Sequence, residues 1–260
     1  MAQDRKLPTE PASPGVLVVI PARFGSTRFP GKALADLEGR PLIVRVAEMA
    51  ARISFADSVV VATDDARIHE AVLAAGHDCE MTSDHPTGTD RIGEVAARHQ
   101  AQIILNLQGD EPLLEPGDVD RLIGAMLDDP DLDLATCGHP FADEFSWRDP
   151  NYVKVIRDTA GQALYFSRAP IPGTFPGAKV AAHTLALRHV GIYAFRRRTL
   201  ERFLALDRSP LEISEGLEQL RALENGMHIK VLEITDAPIG VDTPADLDLV
   251  RKLWRQQQRS

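Results

Sequence analysis

The sequence has few cysteines and no long apolar run. Only Cys79 and Cys137 occur among its 260 residues, and they form no CxxC pair. This scarcity favours buried free thiols over a disulfide framework or a zinc site. No apolar run approaches the roughly 20 residues that would cross a bilayer, so the sequence predicts no membrane insertion. The length allows one large domain with room for a smaller insertion.

Positive charge is also scarce. The chain has 29 Lys and Arg residues against 38 Asp and Glu residues, which gives a formal net charge of -9. Because phosphate backbones attract basic surfaces, this balance argues against a general nucleic-acid binder. An anionic ligand would have to be held by a local group of cations. Arg23, Arg28 and Lys32 form such a group, with no acidic residue among them.

The first 14 residues contain three prolines and lack the apolar centre of a signal peptide. We expect residues 1–14 to be a disordered tail and residues 15–260 to form a single domain. With no export signal in view, the expected location is the cytoplasm.

Apolar β-branched runs alternate with helical patterns along the first half of the chain. Runs at residues 16–20, 59–62 and 103–107 are typical of buried parallel strands, and helical patterns follow each of them. The predicted fold class is α/β, with a doubly wound and mostly parallel sheet. After about residue 149 adjacent strand patterns appear, which predicts an inserted, partly antiparallel unit at about residues 150–210. Further helices are expected at 215–224 and 245–254.

The loop after the first strand carries the strongest chemical pattern. Gly25 and Gly31 allow backbone amides to approach an anion closely, and Arg23 and Lys32 supply fixed positive charge. The spacing is not that of a Walker A loop, because one residue too many separates the glycines and Ala33 follows the lysine. A solvated Gly-rich connection is the alternative. Its position at a strand's carboxyl end favours phosphate binding.

Two acidic residues lie where a hard cation could be held. Asp110 follows the strand at 103–107, and Asp242 precedes the final helix. Carboxylate oxygens suit Mg²⁺. For Asp242 the residues alone leave a second interpretation open, since Asp242 or Thr243 could equally cap the helix that begins at Pro244.

Several segments resemble motifs of the cytidylyltransferases that activate acidic sugars, in the Kdo (3-deoxy-manno-octulosonate) branch. Residues 21–32 resemble PAR-x-x-S-T-R-x-P-x-K, residues 87–91 the S/T-G-T-E/D-R motif, and residues 108–112 QGDEP. Residues 165–172, 188–193, 217–221 and 240–247 resemble YFSRAxIP, RHxGIY, LEQLR and GVDTPxDL. Together they cover nearly the whole chain in family order.

The resemblance implies a nucleotide-diphospho-sugar transferase fold and a set of site residues. Catalysis would rest on Arg23, Lys32, Asp110 and Asp242, with magnesium held by Asp110 and Asp242. The implied nucleotide contacts are Pro21, Ala22, Arg23, Ser26, Arg28, Lys32, Gly88, Arg91 and Gln108. The implied sugar contacts are Arg168, His189, Tyr193, Glu218 and Gln219. Glu218 and Gln219 are neighbours on a predicted helix and cannot share one face fully, so one could be structural.

The resemblance also implies the reaction. CTP and Kdo would give CMP-Kdo and pyrophosphate for lipopolysaccharide synthesis, in a homodimer that binds no nucleic acid. The chain departs from the family pattern at Phe24, Phe29, residues 137–139, Ile213, Ser214 and Gly216. An amino-substituted Kdo therefore stays open as substrate. The rivals are a transferase for sialic acid or a sugar phosphate and a non-enzymatic nucleotide-binding protein.

Overall fold

The computed structural model describes residues 15–25, 28–235 and 238–257. The predicted tail at residues 1–14 lies outside this part. The strands are β1 (Val16–Ala22), β2 (Asp36–Leu37), β3 (Arg40–Pro41), β4 (Ser58–Thr63), β5 (Asp78–Met81), β6 (Ile103–Asn106), β7 (Leu134–Pro140), β8 (Lys154–Arg157), β9 (Ala163–Ser167), β10 (Leu187–Arg196) and β11 (Ile229–Glu233). The helices are α1 (Leu42–Ala50), α2 (Ala66–Ala74), α3 (Gly88–Ala96), α4 (Pro116–Asp128), α5 (Glu144–Arg148), α6 (Arg197–Leu204), α7 (Pro210–Glu215), α8 (Gln219–Glu224) and α9 (Pro244–Gln257). Short 3-10 turns lie at Lys32–Leu34 and Ala182–Leu185.

One large sheet organises the molecule. Its main path runs β11-β7-β10-β6-β1-β4-β5. Neighbours on this path are parallel except where β10 pairs antiparallel with β6 and β7. The predicted mostly parallel α/β sheet is therefore confirmed, with β10 as the strand of opposite direction.

Both faces of the sheet are buried, which explains why β1 is apolar without alternation. Val18 and Ile20 pack into the core that also contains residues of α1, α2 and α4. Leu17 and Val19 point to the other face and join the core built with α3, α6 and α8. Helices on both faces make the sheet doubly wound, because each strand must bury two apolar sides.

The antiparallel part of the sheet is attached through the first residues of β10. Leu187 and Arg188 pair with β8, and β8 pairs in turn with β9. The rest of β10 lies inside the main sheet. The separation of residues 150–210 as an inserted unit stays a prediction.

Two local features differ from the sequence predictions. The helix expected at 215–224 is wrong in its first turn, because Gly216 adopts φ +63° and ends α7. The helix resumes as α8 only at Gln219. Strand β7 was not predicted, although it joins β10 and β11 in the middle of that half of the sheet. No helix in the described ranges is long and apolar enough to span a membrane.

Candidate active site

Three segments meet at the carboxyl ends of β1 and β6. The loop after β1 brings Lys32, the turn after β6 brings Asp110, and the segment before α9 brings Asp242. Val241 donates its backbone N–H to the Asp110 carbonyl at 2.9 Å and joins the last two segments. Residues more than 200 positions apart therefore share one edge of the sheet, where open α/β proteins bind ligands.

The Lys32 ammonium lies between the two acidic side chains. Its Nζ is 2.5 Å from Asp110 Oδ2 and 3.2 Å from Asp242 Oδ1, and it also donates to the Val241 carbonyl at 3.0 Å. Burial disfavours the charged amine, but the two carboxylates outweigh burial and raise the pKa of Lys32. The cluster therefore holds its ammonium charged. Arg28 adds a second cation, 2.9 Å from Asp242 Oδ2.

The helix cap at α9 leaves the Asp242 carboxylate out of the capping bonds. Thr243 Oγ1 accepts from the Asp246 N–H at 3.3 Å. The Asp246 carboxylate in turn accepts from the N–H groups of Asp242 and Thr243 at 3.1 and 2.8 Å. This reciprocal pattern is a capping box built on Thr243 and Asp246. Of the two interpretations left open by the sequence, the cap belongs to Thr243, and Asp242 directs its carboxylate to Lys32 and Arg28.

Glu111 is a half-buried acid beside this cluster, and the sequence predicts no role for it. Burial, together with the neighbouring Asp110 carboxylate, raises the pKa of Glu111 to about 8. Its Oε2 is buried and has no hydrogen-bond partner in the described residues. Its place in the QGDEP segment was the available signal, but the burial of its Oε2 atom could not be predicted from that segment.

A cleft of about 330 Å³ opens over these groups. Ten of the eleven predicted catalytic and nucleotide-contact positions line it, and the eleventh, Ser26, lies outside the described residues. These ten are Pro21, Ala22, Arg23, Arg28, Lys32, Gly88, Arg91, Gln108, Asp110 and Asp242. The structure thus brings the three nucleotide-side motifs to one cavity.

Arg91 and Gln108 reach this cleft from fixed positions. Arg91 is only 2% exposed and is held by Thr82 Oγ1 at 2.5 Å and Asp64 Oδ2 at 3.1 Å. Gln108 donates its side-chain amide to the Gly191 carbonyl at 3.0 Å. Asp64 was missed by sequence reasoning, because nothing in its own segment indicates a partner 27 positions away. Thr87 caps α3, because its Oγ1 accepts from the Asp90 N–H at 3.1 Å.

Four of the five predicted sugar contacts form a second group between β10 and the start of α8. They are His189, Tyr193, Glu218 and Gln219. The His189 and Tyr193 rings lie 5.4 Å apart. Tyr193, Glu218 and Gln219 line one small internal cavity, and the Gln219 Nε2 is buried without a hydrogen-bond partner in the described residues. Glu218 accepts a hydrogen bond from Thr89 at 2.7 Å, which connects this group to the start of α3.

Burial fixes the protonation of the two rings in this group. It lowers the pKa of His189 to about 3, so the imidazole is neutral at physiological pH. Burial and the nearby Glu218 carboxylate raise the pKa of Tyr193 well above its ordinary value, so its hydroxyl stays protonated. Both rings can therefore offer hydrogen bonds but no charge.

Arg168, the fifth predicted sugar contact, is exposed and directly follows β9. Its Nε donates to the Glu215 carbonyl at 3.0 Å, and its backbone N–H donates to the Glu215 carboxylate at 2.9 Å. The fully buried Lys154 donates to the Arg168 carbonyl at 2.8 Å. These bonds fix the backbone at Arg168 while the guanidinium keeps an exposed face. None of the five predicted sugar contacts lines the cleft over Lys32.

The donor set around Lys32 fits a hard divalent cation. Asp110 and Asp242 offer oxygen atoms on either side of one ammonium, so the position between them already accommodates positive charge. Mg²⁺ typically takes one or two carboxylates together with substrate phosphates. The described residues contain no group of three or more His, Cys, Asp or Glu side chains that could hold a metal ion by themselves. Both thiols in the described ranges are free, as predicted, but only Cys137 is buried, and Cys79 is partly exposed.

Comparison with known proteins defines the class. The family model described as Cytidylyltransferase matches residues 17–229, most of the chain. A 3-deoxy-manno-octulosonate cytidylyltransferase of Pelobacter propionicus is 48% identical over 255 residues, covering 94% of this chain and 98% of the relative. A protein of the same name from Geobacter metallireducens is 47% identical, with coverage of 93% and 99%. This chain belongs to the 3-deoxy-manno-octulosonate cytidylyltransferase family.

Solved structures agree with this assignment. The structure of CMP:2-keto-3-deoxy-manno-octonic acid synthetase in complex with CTP superposes with a TM-score of 0.88 and 46% identity, covering 94% of this chain and 99% of that one. The 4-diphosphocytidyl-2C-methyl-D-erythritol synthase of Anaerococcus prevotii matches with a TM-score of 0.63 at 15% identity. The second likeness supports the fold alone.

Proposed function

We propose that this enzyme transfers CMP from CTP to Kdo and releases pyrophosphate. The observation that carries the proposal is the Lys32 ammonium held by Asp110 and Asp242 on the floor of a cleft that also contains Arg23. Such a cluster suits a polyphosphate substrate. The likeness to a synthetase solved with CTP, over almost the full length of both chains, supports cytidine as its base.

The proposed reaction is an in-line displacement. The C2 hydroxyl oxygen of Kdo forms a bond to the α-phosphorus of CTP. The bond from that phosphorus to the bridging oxygen of the β-phosphate breaks, pyrophosphate leaves, and the hydroxyl proton is released. Positioning and charge stabilisation provide most of the catalysis in such transfers, so no covalent enzyme intermediate is needed.

Residues of the cleft have distinct roles in this proposal. Arg23 and Arg28 bind phosphate oxygens as the charge moves toward the leaving group. Lys32 leaves its carboxylates for the phosphates when the nucleotide enters. Gly88, Arg91 and Gln108 contact the cytidine, together with the backbone at Pro21 and Ala22, and Ser26 is proposed as a further contact.

Asp110 and Asp242 are proposed to hold magnesium, which when bound neutralises phosphate charge and lowers the pKa of the attacking hydroxyl. The arrangement of two carboxylates around a resident cation supports this assignment. Each acid also helps to position Lys32. Replacing an acid with its neutral amide tests whether the acid has a role in metal binding beyond balancing the charge of Lys32.

His189, Tyr193, Glu218 and Gln219 are proposed sugar contacts, and Arg168 is the proposed partner of the sugar carboxylate. Support comes from the neutral rings and the buried amide of the first group, which can pair with hydroxyls, and from the exposed guanidinium of Arg168. We further infer a homodimer that acts in the cytoplasm, with its product used in lipopolysaccharide synthesis; this inference depends on the family resemblance.

Pyrophosphate release from CTP with and without Kdo tests the proposed function. We expect Kdo-dependent release that EDTA abolishes and added Mg²⁺ restores. Release with an amino-substituted Kdo or a sialic acid, and none with Kdo, would move the substrate while leaving the reaction type. Nucleotide binding without release from any acidic sugar would favour a non-enzymatic binding protein.

Gly109 gives a second test of the nucleotide site. A Cβ on this residue would lie 2.9 Å from the Pro21 carbonyl oxygen, which belongs to the backbone and cannot swing away. Gly109→Ala should therefore separate the ends of β1 and β6 and lower kcat/KM for CTP roughly 10- to 100-fold. Steady-state kinetics with varied CTP would measure this.

Gly117→Ala is the matched control, because a Cβ at Gly117 meets no atom within 4 Å. It lies in the first turn of α4, and its kinetic constants should equal those of the wild type. Equal kinetics for both alanine variants would contradict the role given to the close approach at Gly109.

A further inference from the structure

Thr136 occupies the one position in β7 that faces an irregularity of β10. Val190 pairs with Cys137 and Tyr193 pairs with Thr136, so Gly191 and Ile192 form a bulge between consecutive β7 residues. The Thr136 side chain is fully buried. Its Oγ1 lies 2.7 Å from the Ile192 carbonyl oxygen, 3.1 Å from the Val190 carbonyl oxygen and 3.0 Å from His189 Nε2.

The hydroxyl has a single proton for these three neighbours. Carbonyl oxygens only accept hydrogen bonds, and both carbonyl oxygens lie within hydrogen-bond distance of Thr136 Oγ1. The hydroxyl proton must therefore be donated to one of these two oxygens. If the hydroxyl donated to His189 instead, its oxygen would lie 2.7 Å from the Ile192 carbonyl oxygen with no proton between them, and the two oxygens would repel each other. The hydroxyl therefore accepts from His189, and the imidazole must carry its proton on Nε2.

We propose that Thr136 is a positioning residue that fixes His189 as the Nε2–H tautomer and so presents Nδ1 as a hydrogen-bond acceptor for a hydroxyl of the sugar. The inference rests on the proposed function, since it assigns a partner to a proposed sugar contact. It also specifies the chemistry of recognition. His189 contributes a neutral acceptor, and the sugar contributes a hydroxyl rather than its carboxylate.

The surroundings of the ring agree with this role. His189 is held edge-on to Phe166, with ring centroids 5.1 Å apart, and its backbone N–H donates to the Val153 carbonyl at 2.8 Å. The described residues provide no hydrogen bond to Nδ1. Because burial keeps the pKa of His189 far below neutrality, the second nitrogen does not gain a proton at the working pH.

The bulge is fixed from the nucleotide side as well. Gln108, in the cleft over Lys32, donates to the carbonyl of Gly191 between the two carbonyls that face Thr136. The bulge thus has a side-chain donor on each side. Loss of the Thr136 hydroxyl should disturb the sugar contact at His189 more than the nucleotide contact at Gln108.

The tautomer can be read directly from the wild-type protein with ¹⁵N-labelled histidine. Two-bond ¹H–¹⁵N spectra at pH 7.5 should show a protonated Nε2 and an unprotonated Nδ1 for the signal that disappears in His189→Gln. Adding Kdo without CTP should shift the Nδ1 resonance. A proton on Nδ1 in the free enzyme would overturn the inference.

Variants provide the kinetic test. Thr136→Val keeps the shape but loses the hydroxyl, and should raise KM for Kdo roughly tenfold with less than a twofold change in KM for CTP. Thr136→Ser retains the hydroxyl and should restore both the wild-type KM and the Nε2–H signal. Equal changes in both KM values, or failure of serine to restore the sugar KM, would indicate a purely structural role.

The inference and the proposed function fail separately. If wild-type enzyme released no pyrophosphate with Kdo, the proposed function would be wrong whatever the tautomer. If release were normal and the proton were on Nδ1, only the role of Thr136 would be wrong. Should Thr136→Val fail to fold, the wild-type spectrum and the serine variant still decide the question.

Discussion

Asp110→Asn should lower kcat for pyrophosphate release by roughly 10²- to 10³-fold while the protein stays folded. The substitution keeps the size and a hydrogen-bonding oxygen but removes the negative charge that lies 2.5 Å from Lys32. If this carboxylate holds Mg²⁺ during the reaction, the phosphates lose a large part of their charge stabilisation. The rate should be measured at saturating CTP and Kdo with Mg²⁺ varied, because the Mg²⁺ concentration for half-maximal rate should rise as well.

Asp118→Asn is the matched control for this variant. Asp118 lies eight positions later, in the first turn of α4, and forms a partly exposed ion pair with Arg121. Its loss should weaken the helix terminus by no more than about 1 kcal/mol and leave kcat unchanged. A kcat for Asp110→Asn within threefold of the wild type under saturating Mg²⁺ would remove Asp110 from the proposed metal site.

The nucleotide side of the site was predictable because its signals are local. Each of its segments follows a strand or starts a helix, so Lys32 and Asp110 could be assigned to the same edge from the strand pattern alone. The choice between Asp242 and Thr243 as helix cap was not predictable. It depends on which side chain turns toward α9, and Lys32 and Arg28 attract the Asp242 carboxylate away from the helix.

The sugar-side group depends on contacts that leave no local pattern. Thr89 and Glu218 are 129 positions apart, and their hydrogen bond exists only because α3 and α8 pack on the same face of the sheet. Strand β7 was missed for a related reason. Thr136, Gly138 and His139 interrupt the apolar pattern of this strand, and contacts with neighbouring strands determine their positions. A Cβ at Gly138 would lie 2.9 Å from the Leu187 side chain.

The helix boundary at Gly216 illustrates a third limit. A helical pattern continues across residues 215–224, and the residues of α8 do form a helix. Gly216 nevertheless adopts the left-handed conformation that favours glycine, and its N–H donates to the Glu212 carbonyl at 2.8 Å. A glycine at a helix end and a glycine inside a helix look alike in a single sequence. Tertiary packing of α7 against α8 decides between them.

The largest effect on stability is expected at the ion pair between α7 and α8. Arg221→Met should lower the free energy of unfolding by about 3–5 kcal/mol, because it leaves a buried carboxylate without its main partner. Arg221 binds Glu212 through two nitrogens at 2.8 and 2.7 Å, and the Glu212 side chain is 1% exposed. Urea denaturation at pH 7.5 would measure the change.

Arg148→Met separates the effect of burial from that of pairing. Arg221 lies over the Phe203 ring, and Arg148 likewise lies over the Trp147 ring and pairs with a glutamate, Glu144. The ion pair of Arg148, however, is about 60% exposed on both sides. Its loss should change stability by less than about 1 kcal/mol. Similar losses for the two methionine variants would show that burial of the pair has no special effect.

The sign of the pH dependence gives an independent check on the Arg221 variant. In the wild type, burial opposes ionisation of Glu212, but the Arg221 guanidinium outweighs it and lowers the pKa of this carboxyl below 4.5. The pair therefore contributes stability above pH 4.5 that is lost as the pH falls through the lowered pKa. Without Arg221, burial should move the pKa of Glu212 above its ordinary value, so the destabilisation should grow as the pH rises and shrink in acid.

Adding Glu212→Gln to Arg221→Met should recover part of the stability at pH 7.5, because the amide can keep the bond to the Ser209 N–H without burying a charge. A double variant less stable than Arg221→Met alone would contradict this account.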